Sequence, residues 1–285
     1  MPLDLDAVGR TGPIMEQSWT ATDAMLYALG VGAGQDDPLK ELAYTTENSE
    51  GVQQQALSTF AVVLLQTRGG NAVSLGDFDR SQLVHAEQAV TLFAPLPVEG
   101  RLLVQTEVVG IWDKGSGALA VTETRGWPPD GSRDKPMVTT TSAVFIKGQG
   151  GFGRKQPAVV WTEPSGEPSH RLTAPTRHDQ ALLYRLGSGD RNPLHSDPVF
   201  AARGGFDRPI LHGLCTYGTV ARVLLGALAG DDNRRLTSMI GRFTKPVMPG
   251  EELTVEAWAT DEGAAFRALD RAGDAVLSRG KITLA

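Results

Sequence analysis

An α+β fold built from two similar halves is the architecture this sequence predicts, on three observations. Short stretches of alternating apolar and polar residues, bounded by Gly, Pro and Asp, recur in both halves and read as antiparallel strands. Each half also carries residues at helical apolar spacing. Between them, residues 148–175 are rich in Gly, Pro and Ser (Gly148-Gln-Gly-Gly-Phe-Gly, then Glu163-Pro-Ser-Gly-Glu-Pro) and show neither period, so they read as a connector. The halves are then 1–150 and 176–285, joined by a linker over 151–175. The spacing of Phe93, Gly100 and Leu103 returns in Phe243, Gly250 and Leu253, which hints at an internal repeat. One helix against an antiparallel sheet, twice over, is α+β.

Helical spacing first appears over 22–29, and Gly30-Val-Gly-Ala-Gly34 behind it reads as a helix stop. Those glycines follow a helix rather than a strand, so they are not a dinucleotide-binding loop. A weaker helical pattern spans 57–67. Strands are predicted over 84–93, 102–113, 118–125 and 137–146. In the second half a short helix starts near Pro198. The strongest helix is predicted over 210–229, where Leu211, Leu214, Ala221, Leu224, Leu225 and Leu228 form a broad stripe; Pro209 suits its start and Gly230 its end. Strands follow over 239–247, 253–260, 264–269 and 275–284, with Pro, Gly and Asp marking the turns.

With 285 residues, 41% of them hydrophobic and 21% charged, the chain has the composition of a folded globular protein. A formal charge of −6 opposes attraction to phosphate and sets nucleic acid aside as a partner. No apolar run approaches membrane-spanning length, and the first ten residues carry acids rather than a basic run, so neither membrane insertion nor secretion is expected. The single cysteine, Cys215, allows no disulfide within the chain and fits a cytoplasmic location. It lies in the 210–229 helix and reads as a small buried apolar residue. His85, His170, His178, His195 and His212 include no pair at metal-ligand spacing backed by carboxylates, so no metal is expected. Residues 148–153 lack the Lys-Ser/Thr ending of a phosphate-binding P-loop.

The densest polar cluster of the second half is Tyr184-Arg-Leu-Gly-Ser-Gly-Asp190-Arg191-Asn192-Pro193-Leu194-His195. A carboxylate and an imidazole five residues apart on a turn can converge on one small volume. Adding water across an enoyl thioester needs such a pair, a base for the attacking water and an acid for the proton at C2. On spacing alone, a turn that merely caps a helix fits these residues too, because Asn192-Pro193 is a common turn dipeptide. The second ingredient is Arg208-Pro-Ile-Leu-His-Gly213-Leu at the start of the long helix. Free N–H groups at a helix N-terminus suit an oxyanion such as the enolate of a thioester, and Gly213 leaves room for a carbonyl to approach. A glycine needed only for helix–sheet packing fits this position equally well.

Ser188-Gly-Asp190-Arg-Asn192-Pro-Leu-His195 followed by Pro209-Ile-Leu-His-Gly213-Leu resembles the signature of the hydratase 2 family, found in MaoC-like hydratases and in the hydratase part of peroxisomal multifunctional enzymes. Tyr27-Ala-Leu-Gly-Val-Gly-Ala, Leu83-Val-His85-Ala-Glu-Gln, Trp112-Asp-Lys114-Gly-Ser-Gly and Gly148-Gln-Gly-Gly-Phe-Gly extend the resemblance over nearly the whole chain. The resemblance implies two fused hot-dog domains, each a long central helix wrapped by an antiparallel sheet, with the catalytic motif in the second. It further implies an (R)-specific 2-enoyl-CoA hydratase that needs no cofactor and forms a homodimer. Asp190 and His195 are then the catalytic pair, Gly213 the oxyanion hole, and Asn192, Arg191, Pro193 and Leu194 part of the substrate contact. His85, Ala86, Lys114 and Phe243 match positions that touch the acyl-CoA in the family, and Glu47 matches a further acid near the site. Where relatives commonly carry His-Gly, this chain has His85-Ala86.

Lys114 also has a physical case, since a flexible ammonium in a Gly-rich turn can meet a CoA phosphate. Three other functions compete: a dehydratase for substrates on an acyl carrier protein, a thioesterase, and a non-catalytic acyl-CoA-binding partner. The net acidic chain disfavours an acidic carrier. Retention of both Asp190 and His195 disfavours the other two. Small residues across 57–65 suggest a first half that makes room for a medium or long, ring-bearing acyl group, with fatty-acid oxidation or steroid side-chain breakdown as settings.

Overall fold

The computed structural model describes residues 3–66, 73–79, 82–158, 160–230 and 232–285. Alternation of buried and exposed residues builds ten strands: β1 (Met15–Trp19), β2 (Leu83–Leu92), β3 (Gly100–Asp113), β4 (Gly117–Trp127), β5 (Val138–Lys147), β6 (His170–Pro175), β7 (Leu236–Phe243), β8 (Glu252–Thr260), β9 (Gly263–Leu269) and β10 (Ala275–Leu284). They form one antiparallel sheet in the order β1-β3-β4-β5-β2-β7-β10-β9-β8-β6. Read from either edge inward, the order is the same: β1, β3, β4, β5, β2 on one side and β6, β8, β9, β10, β7 on the other.

Six α-helices join them, besides short 3₁₀ turns: α1 (Ala21–Gly30), α2 (Leu42–Thr45), α3 (Phe60–Leu65), α4 (Gln180–Ser188), α5 (Pro198–Arg203) and α6 (Gly213–Ala229). Each half therefore runs strand, three helices, four strands. The Phe-Gly-Leu spacing marks equivalent places in this order, with Phe93 and Phe243 at the ends of β2 and β7, and Gly100 and Gly250 at the turns into β3 and β8. The halves meet along β2 and β7, where Glu87 lies opposite Arg242 and Val90 opposite Met239.

α6 is buried on nearly every face, as a helix apolar all round must be. It packs against β6, β7, β8 and β10 of its own half. Its polar side chains find partners in the interior: Tyr217 donates to the Met239 carbonyl at 2.7 Å, and Thr219 and the Arg222 Nε donate to the Val31 carbonyl at 3.2 and 3.1 Å. α1 and α4 cross through glycine, since a Cβ on Gly30 would lie 3.0 Å from the Tyr184 Cα and one on Gly187 2.6 Å from the Leu26 backbone.

Four expectations change. The long helix starts at Gly213 rather than 210, because Ile210 and Leu211 donate their N–H groups to the carbonyls of Leu194 (3.3 Å) and Val247 (2.8 Å) and stay extended. The connector ends early: His170–Pro175 is an edge strand, paired residue by residue with β8 from Ala257 to Glu252. β7 begins at Leu236 and stops at Phe243, short of Pro246, which has no N–H to give a ladder. In the first half, the helix over the sheet has six residues within the predicted 57–67, of which Thr67 lies outside the described residues. It packs on β1, β4 and β5.

Candidate active site

The polar cluster folds as a chain of side-chain-capped turns. α4 ends at Ser188 and Gly189 takes the left-handed conformation (φ 70°) that reverses the chain. Asp190 Oδ1 accepts the Asn192 N–H at 2.9 Å, and Asn192 Oδ1 accepts the Leu194 N–H at 3.0 Å, opening a 3₁₀ turn over Pro193–His195. Asn192 thus shapes the turn that carries His195. The imidazole is then fixed from the far side, with Nδ1 2.9 Å from the Ile210 carbonyl. A carbonyl only accepts, so Nδ1 holds the proton and Nε2 presents a lone pair.

Asp190, His195 and His212 converge, one ligand atom of each lying within 4.8 Å of the others. The rings of His195 and His212 are 3.8 Å apart between centroids, inclined by 30°. Burial pushes the His195 imidazole below its usual range, opposed by the Ile210 hydrogen bond and the Asp190 charge. It pushes His212 down to about 2, with the charge on His195 adding to the effect. His212 is 2% exposed. Neither of its ring nitrogens has a hydrogen-bond partner, although the Asp190 backbone lies close enough to favour its protonated form. The sequence does not single this residue out: it stands 17 positions from His195, and only the fold brings the two imidazoles and the Asp190 carboxylate together.

Gly213 is the first residue of α6, and among the described residues its N–H has no acceptor. A Cβ placed on it would meet the Phe243 ring at 3.4 Å. Phe243 in turn lies 4.9 Å from the His85 ring, centroid to centroid. His85 is held by the Glu87 carbonyl and the Ser142 hydroxyl, each 3.1 Å from Nε2. Burial lowers it to about 4, against the opposing charge of Asp190, which places His85 within electrostatic reach of the pair. Ala86 occupies a β-bulge, where the β2–β5 register skips a residue. It is not among the residues of positive φ, so the methyl group that replaces the glycine common in relatives causes no backbone strain there.

The remaining candidates lie farther out. Lys114 tops the β3–β4 turn and donates to Gln156 at 2.7 Å. Beside it, Asp113 accepts from the N–H groups of Gly115, Gly151 and Gly153, which holds its carboxyl below the usual range and ties the start of the connector down. Lys114 borders a cavity of about 490 Å³ on the outer face of the sheet, shared with Trp161, Arg242, Arg279 and Lys281. Pro193 and Leu194 are half-buried in the 3₁₀ turn and Arg191 is exposed. Glu47 is exposed after α2, and no contact among the described residues joins it to Asp190, His195 or His212.

A carboxylate and two imidazoles are thus gathered beside the N-terminus of α6, with His85 of β2 and Phe243 of β7 in contact close by. Residues 160–277 match the model of the MaoC like domain, and residues 18–148 that of the MFE-2 hydratase 2 N-terminal domain. The chain belongs to the MaoC-like hydratase 2 family, and its fold is that of two fused hot-dog domains. It is similar to 3-hydroxyacyl-thioester dehydratase Y of Mycobacterium tuberculosis, with 45% identity over 96% of this chain and 93% of that protein. Enoyl-CoA hydratase ChsH3 of the same organism is 41% identical over 90% of each chain. Among solved structures, a MaoC-like dehydratase from Phytophthora capsici superimposes with a TM-score of 0.86 at 30% identity, covering 99% of this chain and 98% of that one.

Proposed function

We propose that this protein catalyses the reversible hydration of a trans-2-enoyl-CoA to the (3R)-3-hydroxyacyl-CoA, with Asp190 and His195 as the catalytic pair. The observation that carries the reading is their convergence beside His212, the residue that precedes the free N–H of Gly213. In this reading a water held by the Asp190 carboxylate gives a proton to His195 Nε2 as its oxygen bonds to C3. The C2–C3 π pair moves onto the thioester, whose oxygen becomes an enolate accepting the Gly213 N–H. The proton then returns to C2, the electron pair leaves the enolate oxygen, and the imidazole is neutral again. A depressed imidazole pKa keeps His195 in the accepting state at neutral pH.

His85, Ala86 and Phe243 line the thioester, and Asn192 with Arg191, Pro193 and Leu194 forms the turn beneath it. Lys114 takes a CoA phosphate. Lys114, Arg242, Arg279 and Lys281 around one cavity outnumber its single acid, Glu87, which pairs with Arg242, and in a chain of net charge −6 this supports an anionic carrier for the acyl group. A half-open cavity of about 490 Å³ has room for the nucleotide of CoA. Glu47 is the weakest member, being exposed and unconnected to the pair. A division into a first domain over 1–150 that shapes the acyl tail site and a catalytic second domain over 176–285, to whose sheet the end of the 151–175 connector adds β6, belongs to the same reading, as do a homodimer and a cytoplasmic setting. Among the described residues no helix is long and apolar enough to cross a membrane. A medium or long, ring-bearing acyl group, from fatty-acid or steroid side-chain breakdown, is the expected cargo. Residues 57–65 are buried in the core, so any tail channel beside them has to open when substrate enters.

The test is loss of the enoyl-thioester absorbance with crotonyl-CoA and a C10 enoyl-CoA, comparing wild type, Asp190→Asn and His195→Ala and resolving the chirality of the product. Turnover to the (3R) alcohol that falls by about 10²–10⁴ in either variant supports the assignment. Folded wild type that binds both thioesters and turns over neither removes it, and turnover confined to crotonyl-CoA removes the long-acyl reading.

A further inference from the structure

We infer that His212 is a positioning residue for the hydration step: its imidazole, packed against both Tyr184 and His195, fixes the plane of the His195 ring and links that ring to the Asp190 main chain and the start of α6. The inference rests on the hydratase reading above, and its test separates the two.

A histidine ring turns about a soft torsion. The bond from Cβ to the ring sits in a broad well, so the hydrogen bond from Nδ1 to the Ile210 carbonyl pins one edge of His195 and leaves its plane free to swing. A face contact removes that freedom. The His212 ring lies 3.8 Å from His195 between centroids, inclined by 30°, and 4.9 Å from the Tyr184 ring. Tyr184 cannot yield: it is 1% exposed, and Gly30 of α1 packs on its backbone so closely that a Cβ there would lie 3.0 Å from the Tyr184 Cα. Through Gly30, Tyr184 and His212 the first half of the chain backs the catalytic imidazole of the second.

Two observations single out histidine at this position. Both ring nitrogens are buried without hydrogen-bond partners, a cost that an apolar side chain would avoid, and the Asp190 main chain lies near enough to act on the ring. His212 also contributes the carbonyl half of the peptide whose N–H, on Gly213, is the proposed oxyanion donor. One residue therefore reaches both members of the catalytic pair and the donor. Burial keeps its ring neutral down to about pH 2, so it adds no repulsion when His195 takes up the proton of water.

Loss of the ring would admit water to His195 and relieve the burial that depresses its pKa, so protonation would disable the base at a higher pH than in wild type. The ionisable groups that act on the two rings are Asp190, Arg185 and, through Asp190, His85; Tyr184 stands against His212, and all four stay in place in the His212 variants.

The test uses the full-length protein as wild type, His212→Ala and His212→Phe. It is read by crotonyl-CoA hydration across the pH range and by ¹⁵N NMR of the histidine rings without substrate. In His212→Ala, kcat per folded molecule should fall by about 30-fold or more with KM within about threefold, as a misplaced reacting group requires. The acid limb of kcat/KM should move up by about half a pH unit or more, and His195 should pass from the Nδ1–H tautomer to a mixture. His212→Phe, which restores a flat neutral ring, should recover the tautomer, the acid limb and about tenfold in kcat. A kcat in His212→Ala within about threefold of wild type, an unmoved acid limb, or a His212→Phe protein no better than His212→Ala overturns the inference. If circular dichroism shows His212→Ala unfolded, Tyr184→Leu, which loosens the same stack, decides by the same readouts. A protein that hydrates no thioester, yet whose His195 tautomer becomes mixed in His212→Ala, loses the hydratase reading and keeps the brace; full hydration by both variants does the reverse.

Discussion

Replacing Gly213 by Ala separates function from stability at one atom. Gly213 is the first residue of α6 and is not among the glycines of positive φ, so an alanine there fits the backbone. The new Cβ meets the Phe243 ring at 3.4 Å, an ordinary contact. Lower chain entropy in the unfolded state should then stabilise the protein by about 0.4–1 kcal/mol. That raises Tm by about 1–4 °C for a chain of this size. The same methyl occupies the wall against which a thioester carbonyl approaches the Gly213 N–H. Loss of one oxyanion donor costs about 10²–10³ in kcat. The expected outcome is an unchanged or raised melting curve with kcat lower by about a hundredfold, the fall appearing in kcat more than in KM. Gly218→Ala is the contrast in the same helix: its Cβ would sit 2.6 Å from Tyr27 Oη and Val31 Cγ1, so overpacking should cost about 1–3 kcal/mol while folded molecules keep their kcat. A Gly213→Ala protein whose turnover stays within threefold of wild type would refute the oxyanion-hole assignment.

Two further perturbations test the seam between the halves and the buried imidazoles. Arg222, 7% exposed, bonds both Glu41 oxygens at 2.9 Å, and Arg222→Met strands the carboxylate in the interior; urea unfolding should show a loss of about 3–5 kcal/mol, partly restored by Glu41→Gln in the same chain. An undiminished midpoint in Arg222→Met means the pair is not closed in solution. For His85, whose folded value of about 4 lies below the usual 6.5, the unfolded chain takes up a proton that the folded one refuses. Its contribution is therefore intact above about pH 6.5 and is lost as pH falls toward 4, by at most about 3 kcal/mol. Stability curves of wild type and His85→Gln between pH 7 and 4 should converge as acid is added; parallel curves would show that His85 is not held neutral.

The sequence was most readable where local rules act alone. Alternation and turn residues placed eight of the ten strands to within a few residues, because each has a buried face that fixes its register; the short edge strands β1 and β6 were not predicted. β6 escaped notice because His170–Pro175 is short and lies among Gly and Pro; only its pairing with β8 makes it a strand. Pro209 looked like the first residue of the long helix, yet acceptors on Leu194 and Val247, distant in sequence, hold Ile210 and Leu211 extended. The Asp190 and His195 pair could be named from five-residue spacing, and the family resemblance chose catalysis over a mere turn. His212 could not be assigned, since its place beside His195 depends on the path from residue 196 to 212. His85 and Phe243 were reachable through resemblance alone, lying on or beside strands of different halves, whereas the Gly-rich turn around Lys114 gave that residue a physical case as well.

The two halves share an element order, so α3, which follows β1 and α2, is the counterpart of α6, which follows β6 and α5. They are finished differently. Ahead of α3, buried Asn233 fills the position: its Oδ1 accepts the Ser58 N–H at 2.7 Å and its Nδ2 donates to the Ala56 carbonyl at 2.5 Å. Phe60, Ala61 and Val62 donate to Leu57, Ser58 and Thr59, which uses up the first-turn donors within the chain. Ahead of α6, Ile210 and Leu211 are drawn away into contacts with Leu194 and Val247, and the Gly213 N–H is left without an acceptor. Gly213 is only half-buried, so its N–H stays within reach of a ligand. Among the described residues one helix start is closed by protein and the other is left open beside Asp190 and His195, so on the proposed mechanism only the second half has a free donor for an oxyanion.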